Sequence, residues 1–252
     1  MPTEQPDAPP AGVGAAPGPR QAALLLTRAA HPRQALVTAA GLAGAAYLSG
    51  REPREVGLVA LTVLVGQAVL GWHNDLADRD RDRAAGQTGK PLATGEVTAG
   101  NAWFVLVCTV LLVVPLSLSN GILAGTCYLV SLAIGLVGNA VWRRSVLSFV
   151  PWAAAYALYP AFLSYGGWGG GASAGSAPTT PIVVLAALLG VGVHVLRALP
   201  DLVGDNAVGY RHLPLRIALR TGATRLLALG IVWTGLVLVG LAVAALGVGL
   251  RR

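Results

Sequence analysis

Residues 56–82 read VGLVALTVLVGQAVLGWHNDLADRDRD. The first nineteen, Val56 to Asn74, carry no charge. They match the roughly 20 apolar residues that a helix needs to cross the hydrocarbon core of a bilayer. Charge then returns at once, with four aspartates and two arginines between Asp75 and Asp82. An apolar helix that ends in such a block is leaving a membrane, and its last turns stand at the water interface.

The rest of the 252 residues repeats this pattern. Charged residues are only 12% of the chain against 54% apolar, about half the charge of a soluble domain. They leave uncharged runs at Gln34 to Gly50, Val56 to Asn74, Val97 to Trp142, Ser145 to Leu196 and Leu226 to Leu250. With lengths of 17, 19, 46, 52 and 25 residues, these runs accommodate one, one, two, two and one crossings. The expected fold is an all-α, polytopic transmembrane bundle of seven spans. Six prolines, three glycines and two acids in the first 20 residues fit neither a signal peptide nor a helix. Residues 1–28 are therefore expected to form a disordered tail ahead of a transmembrane domain over 29–252.

If the N-terminus is cytoplasmic, 14 of 18 Lys and Arg residues fall on that side, the bias that orients membrane proteins in the cell membrane. The Ser119-Asn120-Gly121 turn and the small-residue stretch from Gly166 to Pro181 then form uncharged outer links. The seventh run ends on the outer side in Arg251-Arg252, against the bias. A formal charge of +7 does not imply nucleic acid, because the basic residues lie in short segments between apolar runs. Cys108 and Cys127 sit inside one apolar run, match no metal spacing, and are expected to pack as small residues.

Six of the eleven acids fall in two cytoplasmic clusters. Continuing the second helix by two turns places Asp75, Asp78 and Asp82, at i, i+3 and i+7, on one face and turns Asp80 away. Asp201 and Asp205 share a face at the end of the sixth span and continue a ladder from Arg197, with His194 further back. Stacked carboxylates repel unless a cation lies between them, and hard oxygen ligands with room for water and phosphate describe a Mg²⁺ site. The alternative is a charge-balanced interfacial loop in which Arg79, Arg81 and Arg83 pair with the acids. His194 reads as a packed or hydrogen-bonded helix residue rather than a ligand, and His31, His73 and His212 rank lower.

The run Asn74-Asp75-Leu76-Ala77-Asp78-Arg79-Asp80-Arg81-Asp82, followed by Lys90-Pro91-Leu92-Ala93-Thr94-Gly95, resembles the N-D-x-x-D-x-x-x-D segment of the UbiA superfamily of intramembrane prenyltransferases. Asp201-Leu202-Val203-Gly204-Asp205, with Gly209 and Leu213-Pro214-Leu215-Arg216, is similar to the second motif of that superfamily. The segment from Asn139 to Pro151 resembles its loop after helix four, with Gly138 where a tyrosine is usual and Arg143 where a lysine is. The resemblance spans about residues 30–230. It implies a central cavity capped on the cytoplasmic side by two Asp-rich loops, in a family whose members usually have nine helices. With seven, part of the wall is left to a second subunit, so a homo-oligomer is among the expectations.

The resemblance further implies Mg²⁺-dependent transfer of a prenyl group from an isoprenyl diphosphate to a lipophilic, aromatic or other, acceptor beside membrane lipid. Asp75, Asp78, Asp82, Asp201 and Asp205 are the expected metal ligands and catalytic residues. Asn74, Lys90, Arg143, Arg197 and Arg211 are the expected substrate-binding set, and Trp72, Trp103, Trp152, Tyr156 and Tyr159 are candidates for the cavity lining. Arg143 and Arg144 are read equally well as topology signals. The alternatives are a cyclase of the same superfamily, a transporter of cations or diphosphate lipids, and a non-catalytic membrane interaction protein.

Overall fold

The computed structural model describes residues 18–166 and 175–248, and no strand occurs among them. The chain runs through α1 (Pro19–Ala29), α2 (Pro32–Leu48), α3 (Pro53–Ala84), α4 (Pro91–Thr94), α5 (Ala99–Leu118) and α6 (Ile122–Val141). A 3-10 turn at Val146–Phe149 leads into α7 (Val150–Ala157) and α8 (Tyr159–Ser164). Next come α9 (Thr180–Ala198), a second 3-10 turn at Leu199–Asp201, α10 (Leu202–Ala207), α11 (Leu213–Thr221) and α12 (Ala223–Val248). Eight of these helices begin with proline at their first or second position. There its fixed φ suits the first turn and its missing N–H costs nothing. The prolines of this chain therefore mark helix starts more than they break spans.

Among the described residues, six helical segments are long and apolar enough to cross a membrane: Pro53–Ala84, Ala99–Leu118, Ile122–Val141, Val146–Ser164, Thr180–Ala207 and Ala223–Gly247. The first expected span is α2, whose 17 residues rise about 25 Å and fall just short of that length. The outward faces carry large apolar side chains, such as Phe104 and Leu111 on α5 and Leu236, Val239 and Val243 on α12. That is the reverse of a soluble bundle, because lipid rather than water is the solvent. The chain is an integral membrane protein.

Of the tail expected over residues 1–28, the part from Pro19 on is helical and belongs to α1. Residues 1–17 lie outside the described residues, as do 167–174 in the link before α9. The cause is amphipathic packing: Leu25 and Ala29 are buried with Trp72 and Leu92, and Trp72 Nε1 donates to the Leu26 carbonyl at 2.8 Å. The turn between α5 and α6 is held by Asn120, whose Nδ2 donates to Thr62 Oγ1 at 2.9 Å and to the Leu116 carbonyl at 3.0 Å. Gly121 follows at φ 116°, a conformation that few other residues adopt. Cys108 and Cys127 are free thiols; Cys127 packs partly buried against the core, whereas Cys108 is exposed on α5 instead of packed as expected.

At the centre, α3 packs between α2, α5 and α6, while α9 packs between α7 and α12. Tyr128, Tyr159 and Phe162 form an aromatic core with Val59 and Val63. Their ring centroids lie 5.0 Å apart for Tyr128 and Phe162, and 6.4 Å apart for Tyr128 and Tyr159. Tyr128 and Tyr159 of this core also line a cavity that extends to Asn74 of α3 and Arg197 of α9.

Candidate functional site

The helix that carries the first aspartate cluster does not stop at the interface. α3 continues to Ala84 and delivers Asp75, Asp78 and Asp82 to one buried face, with no more than 3% of any of them exposed. Asp80 points outward, its side chain 80% exposed and paired with Arg79 at 3.0 Å. The helical spacing accounts for both facts.

Buried carboxylates need partners, and here each has one. Arg81 is the hub: its Nη2 lies 3.2 Å from Asp78 Oδ2 and 3.0 Å from Asp82 Oδ1, and its Nη1 reaches Asp205 Oδ1 at 2.8 Å. One guanidinium thus ties the first aspartate segment to the second. Lys90 Nζ sits 2.7 Å from Asp82 Oδ2 and 3.5 Å from Asp75 Oδ1. Burial works against the Lys90 charge, but Asp75, Asp82 and Asp78 outweigh it and raise the ammonium above its usual range. Arg143 lies against the Asp78 carboxylate, which likewise raises its pKa despite burial.

Two histidines complete the ring. His31 Nε2 is 2.9 Å from Asp75 Oδ1, and His212 Nε2 is 2.9 Å from Asp205 Oδ2. His31 occupies the corner between α1 and α2 at φ 52°, the one non-glycine residue with positive φ among the described residues. A left-handed backbone costs such a residue about 1–2 kcal/mol, and the corner's packing holds it there. Gly71 of α3 lets the corner approach, since a Cβ at that position would lie 2.6 Å from the Ala30 carbonyl oxygen.

Tyr210 joins the loops above the ring. Arg143 Nη2 donates to its hydroxyl at 3.0 Å, and the guanidinium carbons of Arg81, Arg143 and Arg144 lie 5.2–5.8 Å from its ring centroid. The backbone N–H of Arg211 donates to the Arg144 carbonyl at 3.1 Å, tying the loop after α6 to the loop after α10.

The second aspartate segment is less regular than its spacing suggests. α9 ends at Ala198, a 3-10 turn carries Pro200 and Asp201, and α10 restarts at Leu202. Asp205 is buried in the ring, whereas Asp201 is half-buried and makes no ion pair among the described residues. The expected ladder is therefore broken. Arg197 stacks on Trp152 instead of pairing with Asp201, and His194 bonds Ser148 Oγ at 2.9 Å, the packed role expected for it. Arg211 is exposed and turns its Nη1 to the Tyr210 carbonyl at 2.7 Å, away from the carboxylates.

Beneath the ring lies the cavity. Asn74 and Arg197 line it together with Trp152, Tyr156 and Tyr159. Trp72 and Trp103 do not line it: Trp72 is buried against α1, and Trp103 is half exposed on the outer face of α5. By sequence, His31 and His212 rank low, Arg81 enters only as a counterion in the charge-balanced alternative, and nothing marks Tyr210. Only Arg81, at i+3 from Asp78, carried a positional signal.

Chemically, the ring is an array of carboxylates held by cations that are long and flexible. No three acids, imidazoles or thiols among the described residues converge on one point as they stand. Their oxygens are turned to Arg81, Lys90, Arg143 and the two histidines instead. The donor set still suits a hard divalent cation, since Asp78, Asp82 and Asp205 all lie within reach of the single Arg81 guanidinium. Buried and without a partner, Arg143 Nη1 is a donor still open to an anion.

No functionally curated protein is significantly similar to the chain in sequence. Among solved structures, a UbiA homologue from Archaeoglobus fulgidus bound to GPP and Mg²⁺ superposes with a TM-score of 0.66 at 20% identity, covering 88% of this chain and 78% of that one. A UbiA homologue from the same organism bound to DMAPP and Mg²⁺ gives 0.65 at 20% identity, with 88% and 77% covered. A structure of a digeranylgeranylglyceryl phosphate synthase gives 0.58 at 20% identity, with 85% and 76% covered. These likenesses establish the fold. The UbiA prenyltransferase family matches residues 35–251, nearly all of the helical domain and both aspartate segments, and the chain belongs to that family.

Proposed function

We propose that the protein transfers a prenyl group from an isoprenyl diphosphate to a lipophilic acceptor inside the membrane, with Mg²⁺ as its cofactor. The observation that carries this reading is the ring of buried aspartates and their Arg and Lys counterions beside an aromatic-lined cavity. Asp75, Asp78, Asp82, Asp201 and Asp205 would hold the metal. Bound there, Mg²⁺ supplies Lewis-acid neutralisation of the leaving diphosphate. The solved UbiA homologues that carry GPP or DMAPP with Mg²⁺ support the same choice of ligand.

The residues of the chain have separable tasks. Arg81, Lys90 and Arg143 neutralise the aspartates in the free protein and are free to turn to phosphate oxygens when a diphosphate arrives. Arg143 already has one unpartnered donor, Nη1, for that purpose. Asn74 lines the cavity and would offer its amide to the diphosphate near the scissile C–O bond. As that bond breaks, its electron pair leaves with the diphosphate and the allylic carbon becomes cationic. Trp152, Tyr156 and Tyr159 present ring faces in a water-poor space, which stabilises the cation until the acceptor attacks. The N-terminus and the aspartate ring face the cytoplasm in this reading, as the distribution of basic residues indicates.

The test is incubation of purified protein with isoprenyl diphosphates of several chain lengths, Mg²⁺ and a membrane lipid extract, followed by mass analysis and a pyrophosphate assay. Prenylated product together with pyrophosphate, both abolished by EDTA, is the expected result. Pyrophosphate with a cyclised hydrocarbon in the absence of acceptor would replace transfer by cyclisation. Binding without any pyrophosphate would end the enzyme reading.

A further inference from the structure

α11 starts at the ring and leads away from it. His212, the residue before it, bonds Asp205 and caps the helix by accepting from the Leu215 N–H at 3.2 Å. Beside the 3-10 turn that begins at Val146, α11 borders a groove of about 330 Å³, which shares no lining residue with the cavity of Trp152 and Tyr156. Val146, Leu213, Ile217 and Thr221 line the groove together with Arg216 and Arg220. Both arginines are exposed, and neither side chain has a hydrogen bond or ion pair among the described residues. No acid lines the groove, and from Asn206 to Arg225 the chain carries four arginines and no acid at all.

The place of the groove in the fold sets the medium it meets. α11 ends at Thr221, and α12, a membrane-crossing helix, begins at Ala223. Leu227 and Leu229 on its first turns are exposed, as lipid-facing side chains are, and Arg225 is the last charge before the uncharged run from Leu226. α11 therefore lies where charge gives way to apolar surface, which is the headgroup level of one leaflet. Its own faces agree with that level. Leu215 is buried, whereas Leu219 is exposed next to Arg220, the pattern of a basic helix that rests on a membrane surface.

We infer that this groove is a binding site for an anionic phospholipid, with Arg216 and Arg220 on its phosphate and Val146, Leu213 and Ile217 against the first methylenes of an acyl chain. The two arginines stand about one helical turn apart, ~6 Å along the axis, so both guanidiniums can reach a single phosphate. A free phosphate would use the arginines and gain nothing from the apolar wall. A zwitterionic lipid uses the wall but brings its own cation to the phosphate, which weakens its attraction to the arginines. Only an amphiphile with a net negative head draws on both, and such lipids are the ones that basic clusters at a membrane surface attract. The site lies outside the prenyl-transfer reading and stands without it.

The experiment is native mass spectrometry of the full chain in a neutral detergent, titrated with dioleoylphosphatidylglycerol, dioleoylphosphatidylcholine or glycerol 1-phosphate. Phosphatidylglycerol is expected to bind about tenfold or more tightly than phosphatidylcholine, and the headgroup alone more weakly than either. A basic residue at a membrane surface is worth about fivefold in affinity, so Arg216→Gln and Arg220→Gln together should weaken phosphatidylglycerol binding ~25-fold and erase the preference. Val146→Trp keeps both charges and fills the groove, and it should also weaken phosphatidylglycerol binding about tenfold or more. Arg20→Gln with Arg28→Gln removes two exposed charges from α1 instead, and this variant should bind as the wild type does. Equal binding of the two lipids by the wild type would overturn the inference, as would a preference that survives the loss of Arg216 and Arg220. Glycerol 1-phosphate bound as tightly as phosphatidylglycerol would also overturn it, by making the groove a site for free phosphate. So would unchanged binding by Val146→Trp, or an equal loss in the α1 variant, either of which would reduce the effect to diffuse surface charge.

Discussion

The two aspartate segments solve the same problem with different backbones. The first is the uninterrupted end of α3, and its three inward carboxylates are almost fully buried. The second crosses a helix end, a 3-10 turn at Leu199–Asp201 and a restart at Leu202, and it buries only Asp205. A continuous helix holds its carboxylates in fixed register, whereas the interrupted one leaves Asp201 half-buried and without an ion pair among the described residues. The first segment is thus a preorganised platform, and the second is the side on which the site can adjust to a metal and a phosphate. The element joining them is Arg81, which belongs to the first and reaches Asp205 of the second.

The largest expected effect falls on that joint. Arg81→Ala leaves Asp78, Asp82 and Asp205 without their shared counterion, and removing one partner of a buried ion pair costs about 3–5 kcal/mol. The melting temperature of the variant in the absence of divalent cations should drop clearly below that of the wild type. Mg²⁺ should recover much of the loss, because the carboxylates then have another cation, so the Mg²⁺-induced shift should exceed that of the wild type. Equal Mg²⁺ shifts in the two proteins would mean that Arg81 and the metal do not compete for the same oxygens.

Next in size is the loss of chemistry on the rigid platform. Asp78→Asn removes charge from a residue fixed in place, and losing one preorganised electrostatic contact typically lowers kcat by about 10²–10³. Pyrophosphate release at saturating geranyl diphosphate measures it, and KM should move less than kcat, because the charge matters most as the diphosphate departs. If KM alone rose, Asp78 would serve binding only.

Much of this contrast can be read in the residues, and the rest is absent from them for identifiable reasons. The one-faced spacing of Asp75, Asp78 and Asp82 is visible because α3 is regular, and the outward turn of Asp80 follows from the same geometry. Each of the six long apolar helical segments likewise overlaps one of the five apolar runs, and α2, 17 residues long like its own run, falls just short of them. The ladder from Arg197 through Asp201 to Asp205 fails because Pro200 lies within it, and a proline there favours the break that the spacing ignored. His31, His212 and Tyr210 reach the ring from corners between elements. No periodicity relates such residues to a helix face, and a left-handed corner such as that at His31 is decided by tertiary packing. The aromatic residues show the same limit: Trp152 lines the cavity and Trp103 faces outward, which composition alone does not distinguish.

The flexible side of the site should show a graded response. Asp205→Asn breaks contacts to both Arg81 and His212 and should approach the effect of Asp78→Asn. Asp201→Asn breaks no ion pair among the described residues and should lower kcat by about tenfold, or ~1.4 kcal/mol in the barrier. Replacing Pro200 by Ala sharpens the same point. If α9 then continues unbroken through Asp201, the gap between the two variants should narrow in the Pro200→Ala background. An unchanged gap would locate the difference in the loop after α10 instead.

The smallest effect belongs to the one aspartate of the first segment that faces water. Asp80 lies between two residues of the ring in sequence, and a charged loop that worked by net negative potential would suffer from its loss as much as from that of any neighbour. In the structure its side chain is 80% exposed and its contact is with Arg79, itself partly exposed. Exposed pairs of this kind contribute about 0–1 kcal/mol and are screened by salt. Asp80→Asn should therefore keep kcat and KM within about twofold of wild type, in line with surface substitutions generally. The same variant should leave the Mg²⁺-induced melting shift unchanged. A tenfold fall in kcat from Asp80→Asn would show that the face of α3 is not what selects the working carboxylates, and the distinction between a rigid platform and an adjustable partner would lose its structural basis.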